Sequence, residues 1–504
     1  MNETSLNKIS HEATGIESGR ISFRFLVFIA LVAALIPVAL LGWRDLAPLM
    51  MRILEVTAPQ ISITEMPRGV GLAPASIKIL LSDQGSGLDE IIVRTVQRGV
   101  KKDLLREALG GREKAEIRVD FPGDRSALDE GSATLEIKAF DRSFWSNVAE
   151  KQVPLEVDFR KPRIEVLTTQ HNATVGGSQL IFYKAFDERL AVSGVKAGAQ
   201  TFLGYPASGI DESFDGQSLF VAIYAADMNA KSQDISVRAF AEDNVGNAVS
   251  VPFYNKVLDR PFRAVTQQVS EEALRERIAP IADENFNKLR EVLQRSGRDL
   301  VYETPKGGVD RLLEQFRYVN EILRQFNEDE ILSLLKKERY ERFWDGPFFM
   351  HPGTVTGAFG DDVTFIFNGQ VIGKAQRKGY EFTLPPEHPE VYAANNGIVI
   401  FSDNLGVYGR CVGIDHGLGI VSIYGFMENV LVNRGESVQV GQKIGTAGGT
   451  GLSRGNRVYF EMRVHGTPVD AREWWDKKWF YGQVTAKINE VKRSLGIPVY
   501  KPLN

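Results

Sequence analysis

Histidine and carboxylate side chains are the groups in this sequence that could hold a catalytic metal ion. Four of the six histidines stand in the last third of the chain: His351, His388, His416 and His465. A catalytic zinc site needs three protein ligands and an open position, where the bound water becomes a nucleophile at neutral pH. No pair of these histidines has the close spacing that would place two imidazoles on one strand. The spacing alone therefore does not predict a histidine-rich metal centre.

The composition predicts a multidomain protein and indicates neither a nucleic-acid partner nor a disulfide. At about 100–200 residues per domain, a chain of 504 residues is expected to form three or four domains. The formal net charge of −4 and the lack of a long basic run indicate no nucleic-acid partner. The single cysteine, Cys411, excludes an intrachain disulfide, and its apolar surroundings predict a packed core thiol.

Residues 25–43 are a run of nineteen residues without a charge, close to the length that a helix needs to cross a bilayer. Arg24 and Trp43 flank the run, as interfacial residues do. The competing interpretation is a cleavable signal peptide, whose apolar core is usually shorter and is followed by a small-residue cleavage site. We predict a transmembrane anchor at 25–43 and a cytoplasmic tail at 1–24.

Residues 57–158 and 161–258 repeat one pattern. Each copy opens on a proline, Pro59 or Pro162, and ends with an alternating strand that runs into a turn rich in Asp and Asn. Such alternation bounded by turn residues predicts short strands, and units of about 100 residues are typical of two-sheet sandwiches. The two segments resemble the Ig-like repeats of bacterial surface proteins, in which an Asp-x-x-Gly-Asn turn precedes the last strand. We interpret them as spacers or a docking surface, with specific ligand binding as the alternative.

A helical segment is predicted at 264–343. Ser270 precedes two glutamates, as a helix N-cap does, and Pro280 is expected to break or kink the helix. Further along, apolar residues recur at three- and four-residue steps on one helix face: Leu312, Phe316, Val319, Leu323 and Phe326. The pattern predicts a helical hairpin packed against the next domain, with a groove for a partner helix as the alternative.

From residue 344 the sequence becomes rich in glycine and short strands. Its characteristic blocks are 356–360, 391–399, 408–419, 424–427, 438–445, 448–451, 459–461 and 469–475. In this order they resemble the lysostaphin/LytM-type metallopeptidase family, which cleaves peptide cross-links in bacterial peptidoglycan. The resemblance implies a small antiparallel β domain with a groove at 344–480, followed by a C-terminal tail at 481–504. The whole chain is thus expected to be a mainly β, multidomain protein.

The resemblance also identifies the positions where this family holds zinc. The H-x-x-x-D motif corresponds to Arg377 and Glu381, the Y-x-H motif ends at Phe426, and the H-x-H motif corresponds to Arg457 and Tyr459. All five functional positions are therefore replaced, and an arginine offers no lone pair to a metal. Glu381 and His388, in the loop that follows it, are left as weak candidates for metal ligands. We expect no catalytic residue and no cofactor.

Two interpretations of these replacements are open. Arg377, Glu381 and Arg457 are expected to form a charge-assisted cluster that holds the strands together without metal. Alternatively, Arg377, Glu381, Arg457 and Tyr459 line a groove that binds a carboxylate, such as that of a wall peptide.

The sequence therefore predicts a non-catalytic cell-envelope protein. It is expected to be held in the cytoplasmic (inner) membrane by one helix, with the bulk of the chain periplasmic or extracytoplasmic. Its expected partners are peptidoglycan or a cell-wall hydrolase, and its role that of a wall-binding scaffold or a regulator of wall hydrolysis. The alternative is an active zinc endopeptidase with a rearranged site.

Overall fold

The computed structural model describes residues 50, 52–121, 123, 128–295, 307–335 and 339–499. The chain divides into two compact units, Met1–Arg160 and Lys161–Asn504. The predicted cytoplasmic tail and transmembrane anchor, 1–24 and 25–43, lie outside the described residues. Among the helices that are described, none has the length and apolar character required to cross a membrane.

The described part of the first unit is a pair of antiparallel sheets. Its strands are β1 (Gln60–Glu65), β2 (Ala75–Ser82), β3 (Leu88–Gln97), β4 (Val100–Arg112), β5 (Lys114–Phe121), β6 (Gly131–Asp141) and β7 (Val148–Val157). One sheet has the order β1-β2-β5 and the other β4-β3-β6-β7. Along β5 every second residue is buried, so the strand presents one apolar face to a core shared by the two sheets.

The second unit begins with a β module that contains a larger sheet and a two-stranded parallel sheet. Its strands are β8 (Arg163–Val166), β9 (His171–Thr174), β10 (Ser178–Phe186), β11 (Leu190–Ala197), β12 (Gln200–Pro206), β13 (Leu219–Ala225), β14 (Val237–Asp243), β15 (Ala248–Pro252) and β16 (Asn255–Leu258). The larger sheet has the continuous order β15-β14-β11-β12-β13-β10-β8, and β9 and β16 form the parallel pair. Residues 200–203 of β12 pair with β11 and residues 204–206 pair with β13, so this one strand joins a β11-β14-β15 part of the sheet to a β8-β10-β13 part. The interpretation of the module as an Ig-like sandwich stays a prediction.

The same turn closes the last hairpin in each module. Asp141 accepts hydrogen bonds from the backbone and the side-chain amide of Asn147 (2.8 and 2.9 Å). Asp243 accepts the equivalent pair from Asn247 (2.8 and 2.7 Å). An aspartate that bonds a following backbone N–H stabilises a turn locally. The shared closure explains why the two segments look alike even though the first lacks the glycine of the motif.

The helical segment is a hairpin preceded by a strand. Residues Ala264–Gln268 form strand β17, which corrects the prediction of helix at that end. Helix α1 comprises Glu271–Ala273, Leu274–Ile278 and Ala279–Arg295, and helix α2 comprises Val309–Arg317, Tyr318–Leu323 and Arg324–Leu334. Pro280 does not break α1, because the wider π-helical turn Leu274–Ile278 precedes it and accommodates a residue without an N–H.

The C-terminal domain is a mixed set of short strands around one long sheet. Its strands are β18 (Thr354–Gly357), β19 (Asp362–Phe367), β20 (Gln370–Gln376), β21 (Tyr380–Thr383), β22 (Glu390–Tyr392), β23 (Gly397–Leu405), β24 (Gly409–Gly417), β25 (Ile420–Val430), β26 (Ser437–Val438), β27 (Lys443–Ala447), β28 (Arg457–Val464) and β29 (Thr467–Val469). The antiparallel order β18-β21-β28-β25-β24-β23-β26 forms its centre. Strand β17 adds a parallel edge to β19, so the helical segment is tied into this domain.

The two faces of the central sheet are buried against different partners. Ile423 and the thiol of Cys411 face the apolar residues of α1 and α2, among them Leu312 and Phe316. Tyr424, next along β25, belongs to the core on the opposite face. That core also includes buried residues of the β module at 161–258. The apolar face of α2 is therefore covered by this domain, as the packed hairpin requires. Burial of Cys411 agrees with the prediction of a core thiol.

The expected tail at 481–504 is wrong for its described part. Helix α3 (Ala471–Trp475) is followed by helix α4, which comprises Lys477–Phe480, Tyr481–Thr485 and Ala486–Ser494. Val484, Ile488 and Val491 recur at three- and four-residue steps and are buried in the core of the second unit. This short apolar stripe gives the helix a surface to pack on.

Candidate functional site

The five replaced positions converge on one face of the central sheet. Glu381 on β21 lies directly opposite Tyr459 on β28, and Gly425, the neighbour of Phe426 on β25, pairs with the same tyrosine from the other side. Arg457 lies two residues before Tyr459 and therefore on the same face of β28. Arg377 reaches this face from the turn after β20.

Arg377 and Arg457 share the carboxylate of Glu381. Arg377 Nη1 donates to Glu381 Oε1, and Arg457 Nη1 donates to Oε2 over 3.3 Å. The Glu381 side chain is only 13% exposed. Both of its oxygens are thus occupied by guanidinium groups in a partly buried setting, where charge-assisted hydrogen bonds are strong.

A second carboxylate anchors Arg377 from outside the sheet. Asp361 accepts two hydrogen bonds from Arg263 (3.0 and 2.6 Å), and its Oδ2 lies 3.7 Å from Arg377 Nε. Gly357 lies against the Arg377 guanidinium, where a Cβ would approach within 3.0 Å. The Arg377 side chain is therefore held from three sides.

Below Tyr459 runs a buried polar chain. The Tyr459 hydroxyl donates to Glu461 Oε2 (2.5 Å), and Glu461 Oε1 accepts from Arg463 Nε (2.6 Å). Arg463 in turn donates to both carboxylate oxygens of Glu328 from helix α2 (2.7 and 2.8 Å). Glu461 and Arg463 have no exposed surface. Every link in the chain carries a hydrogen bond, as a buried polar network requires.

Aromatic side chains occupy the rest of this face. The Phe426 ring lies 5.5 Å from that of Tyr459, which lies 5.4 Å from that of Tyr408. Burial raises the pKa of the Tyr408 and Tyr459 hydroxyls far above the usual range, so both are neutral. Neither phenol can serve as a proton acceptor here.

The four histidines of this domain do not converge on Glu381. His416 is buried and bonded to the Asn396 carbonyl and to Ser422 (2.6 and 2.7 Å). His351 is fully buried among aromatic rings. His465 stacks on the Tyr205 ring, and His388 is exposed in its loop.

The C-terminal domain is similar in sequence to a known protein family and to several characterised proteins. The model of peptidase family M23 matches residues 375–471. The chain is 35% identical over 97 residues to the peptidoglycan DD-endopeptidase ShyA of Vibrio cholerae, covering 19% of this chain and 22% of that protein. It is 39% identical over 108 residues to the murein hydrolase activator EnvC of Escherichia coli, covering 21% and 26%. It is 40% identical over 81 residues to the lipoprotein NlpD of Yersinia enterocolitica, covering 16% and 82%.

Through its C-terminal domain, the chain belongs to peptidase family M23. The resemblance inferred from the glycine-rich blocks is confirmed. The alignments with ShyA and EnvC span about a quarter of each of those proteins.

The M23 site of this chain does not fit zinc. The one carboxylate at the ligand positions, Glu381, already accepts hydrogen bonds from two guanidinium groups, and the other positions offer arginine and a buried neutral tyrosine. Two arginines would also repel a dication. Within the described residues of this M23 domain, no three His, Cys, Asp or Glu side chains come close enough to share a metal ion.

Sequence reasoning missed the residues that helix α2 brings to this site. Asn320, Arg324 and Glu328 are spaced by four and therefore share one helix face, and the face points at the M23 sheet. Asn320 donates to the Lys374 carbonyl (2.9 Å), and Glu328 binds Arg463. The available signal in the sequence was a stripe of polar residues beside the apolar stripe of α2. A helix face exposed to solvent has the same pattern, so the signal does not distinguish the two.

Proposed function

We propose that this chain is a non-catalytic M23 protein that acts at peptidoglycan, as a wall-binding scaffold or a regulator of wall hydrolysis. The observation that carries the proposal is the engagement of both Glu381 oxygens by Arg377 and Arg457. Zinc-dependent hydrolysis needs a metal to polarise the scissile carbonyl and generate the nucleophile. These residues supply neither a metal site nor a replacement nucleophile.

The proposal also includes where the M23 domain lies relative to the membrane. Residues 25–43 would anchor the chain in the cytoplasmic membrane, and the two β modules at 57–158 and 161–258, proposed as Ig-like spacers, would lie outside it. The relatives named above include both a peptidoglycan endopeptidase and a murein hydrolase activator. A chain without metal ligands fits the second kind of activity, with peptidoglycan or a hydrolase as the partner.

The test uses the full chain purified in detergent. Zinc content is measured by mass spectrometry, and sacculi are incubated with the protein alone and with an active wall hydrolase. We expect no bound zinc, no release of soluble fragments by the chain alone, and either co-sedimentation with sacculi or a changed rate of release by the hydrolase. Stoichiometric zinc together with released cross-link peptides would overturn the proposal in favour of a rearranged endopeptidase.

A further inference from the structure

A cavity of about 480 Å³ lies between the former M23 groove and the helical segment. Tyr408, Phe426 and Tyr459 form its floor, while strand β17 and helices α1 and α2 contribute Gln267, Arg277 and other residues to its roof and walls. Cavities of roughly 300–1,000 Å³ are typical of small-molecule sites. The helical segment thus turns an open groove into a chamber sized for a small ligand.

The charge of this chamber is strongly unbalanced. Six cationic side chains line it: Arg277, Arg324, Arg377, Lys378, Arg454 and Arg457. The one carboxylate in the lining is Glu381. Partial desolvation at the edge of the cavity, followed by the nearby charges of Arg457, Arg277 and Arg377, lowers the pKa of Arg454. Such a lining repels cations and attracts anions.

Half of these cations have carboxylate partners. Arg377 and Arg457 bind Glu381, and Lys378 Nζ lies 2.8 Å from Glu328. No ion pair is formed by Arg277, Arg324 or Arg454 with any residue that the structure describes. The surplus positive charge therefore belongs to residues from three different elements that face one space.

Arg324 shows the clearest need for a partner. Its Nη2 donates to Asn320 Oδ1 over 3.3 Å, but its Nε is buried and has no acceptor among the described residues. Burial lowers the pKa of this guanidinium, although arginine stays protonated at neutral pH. A buried donor without an acceptor costs about 1–3 kcal/mol, and more when it is charged. An anion in the chamber, which Arg324 lines, would offset the buried positive charge of this guanidinium.

We propose that this chamber is a binding site for a small oxyanion ligand, one that carries a carboxylate or a phosphate group. Planar guanidinium groups match both anions with two parallel hydrogen bonds. Arg324 would hold the anion from inside, and Arg454, exposed at the edge of the cavity, would hold it from the mouth. The aromatic floor accommodates an apolar stem. The site does not depend on a regulatory role for the chain, and the sacculus assay with an active hydrolase tests that role separately.

The experiment titrates the full chain in detergent with two probes, inorganic phosphate and a wall stem peptide with free carboxylates. Chloride at matched ionic strength and the amidated stem peptide are the controls. We expect saturable heat of binding and a raised melting temperature with at least one probe. Phosphate alone would indicate a phosphate-bearing ligand, and the stem peptide alone a carboxylate from the wall.

Three variants locate the binding. Arg324→Gln and Arg454→Gln should each weaken binding about tenfold or more, because each removes a charged hydrogen-bond donor. Arg317→Gln is the matched control, since Arg317 lies on the same helix, pairs with Glu314 and does not line the cavity. If Arg324→Gln does not fold, the exposed Arg454→Gln decides. Absence of saturable binding by both probes, or unchanged affinity in the folded variants, would overturn the proposal.

Discussion

Glu328 on helix α2 accepts hydrogen bonds from both Nη atoms of Arg463 on strand β28, at 2.7 and 2.8 Å. The Arg463 side chain has no exposed surface, and that of Glu328 is 11% exposed. Burial alone raises the pKa of Glu328, but the hydrogen bonds and charge of Arg463 outweigh it and hold this pKa at about 2. The pair fixes the helical segment over the M23 sheet and so defines the roof of the chamber.

Glu328→Gln should lower the free energy of unfolding of the second unit by about 3–5 kcal/mol, because it leaves the buried Arg463 without its full partner. Urea denaturation at pH 7, followed by tryptophan fluorescence, measures the loss. Glu314→Gln is the control, since its pair with Arg317 is at the surface and contributes less than about 1 kcal/mol. Equal effects of the two substitutions would contradict the assignment.

Removal of metal should leave the protein unchanged. We expect the melting temperature of the chain to be the same with and without a strong chelator, because the M23 site offers no free ligand set. Introducing the residue types of the H-x-x-x-D motif and the second histidine of the H-x-H motif, by Arg377→His, Glu381→Asp and Tyr459→His, should make the melting temperature zinc-dependent. A chelator-sensitive wild-type protein would show that the site still holds a metal.

Acid should destabilise the second unit through its buried histidines. Burial lowers the pKa of both His351 and His416 to about 4. The unfolded chain binds protons at these residues near pH 6.5, and the folded chain does not, so stability is full above pH 6.5 and falls as the pH drops toward 4. The loss is about 3 kcal/mol for each residue. Burial raises the pKa of the Glu473 carboxyl to about 8, which acts in the opposite direction. The difference in pH dependence between the wild type and His351→Phe, measured from pH 7.5 to 4.5, therefore isolates the histidine contribution.

His351 and His416 differ in a way that separates their contributions. Neither ring nitrogen of His351 has a hydrogen-bond partner among the described residues, and its neighbours include the rings of Phe382 and Phe460. His351→Phe should therefore stabilise the protein and flatten its pH dependence. His416→Phe should destabilise it by about 1–3 kcal/mol, because Ser422 and the Asn396 carbonyl lose a partner. The reverse order would refute this account.

Helix α4 should be essential for the stability of the second unit. Ile488→Ala removes a buried side chain from the core, at a cost of about 2–5 kcal/mol. Arg493→Ala, on the exposed side of the same helix, is the control and should change the free energy of unfolding by less than about 0.5 kcal/mol. Chemical denaturation of both variants gives the comparison. Similar small effects would mean that the helix is a dispensable tail.

Local patterns predicted much of this protein. Alternation before the Asp- and Asn-rich turns predicted the strands β6 and β14, and the apolar stripe at Leu312 and Phe316 predicted the face on which α2 packs. The glycine-rich blocks identified the M23 scaffold, and the arginines at positions 377 and 457 already indicated the loss of zinc ligands. These features depend on side-chain period and residue chemistry, which are properties of short stretches.

Contacts between distant segments had to come from the tertiary structure. Glu328 and Arg463 are 135 positions apart, and no local sequence pattern around either residue indicates the other as its partner. The buried state of His351, the roof over the groove and the partnerless Nε of Arg324 likewise arise when separate elements enclose a common space. The sequence determined which charges are available. The packing of α2 on the M23 sheet decided which of them are desolvated and left without partners, because burial and pairing are properties of the assembled fold.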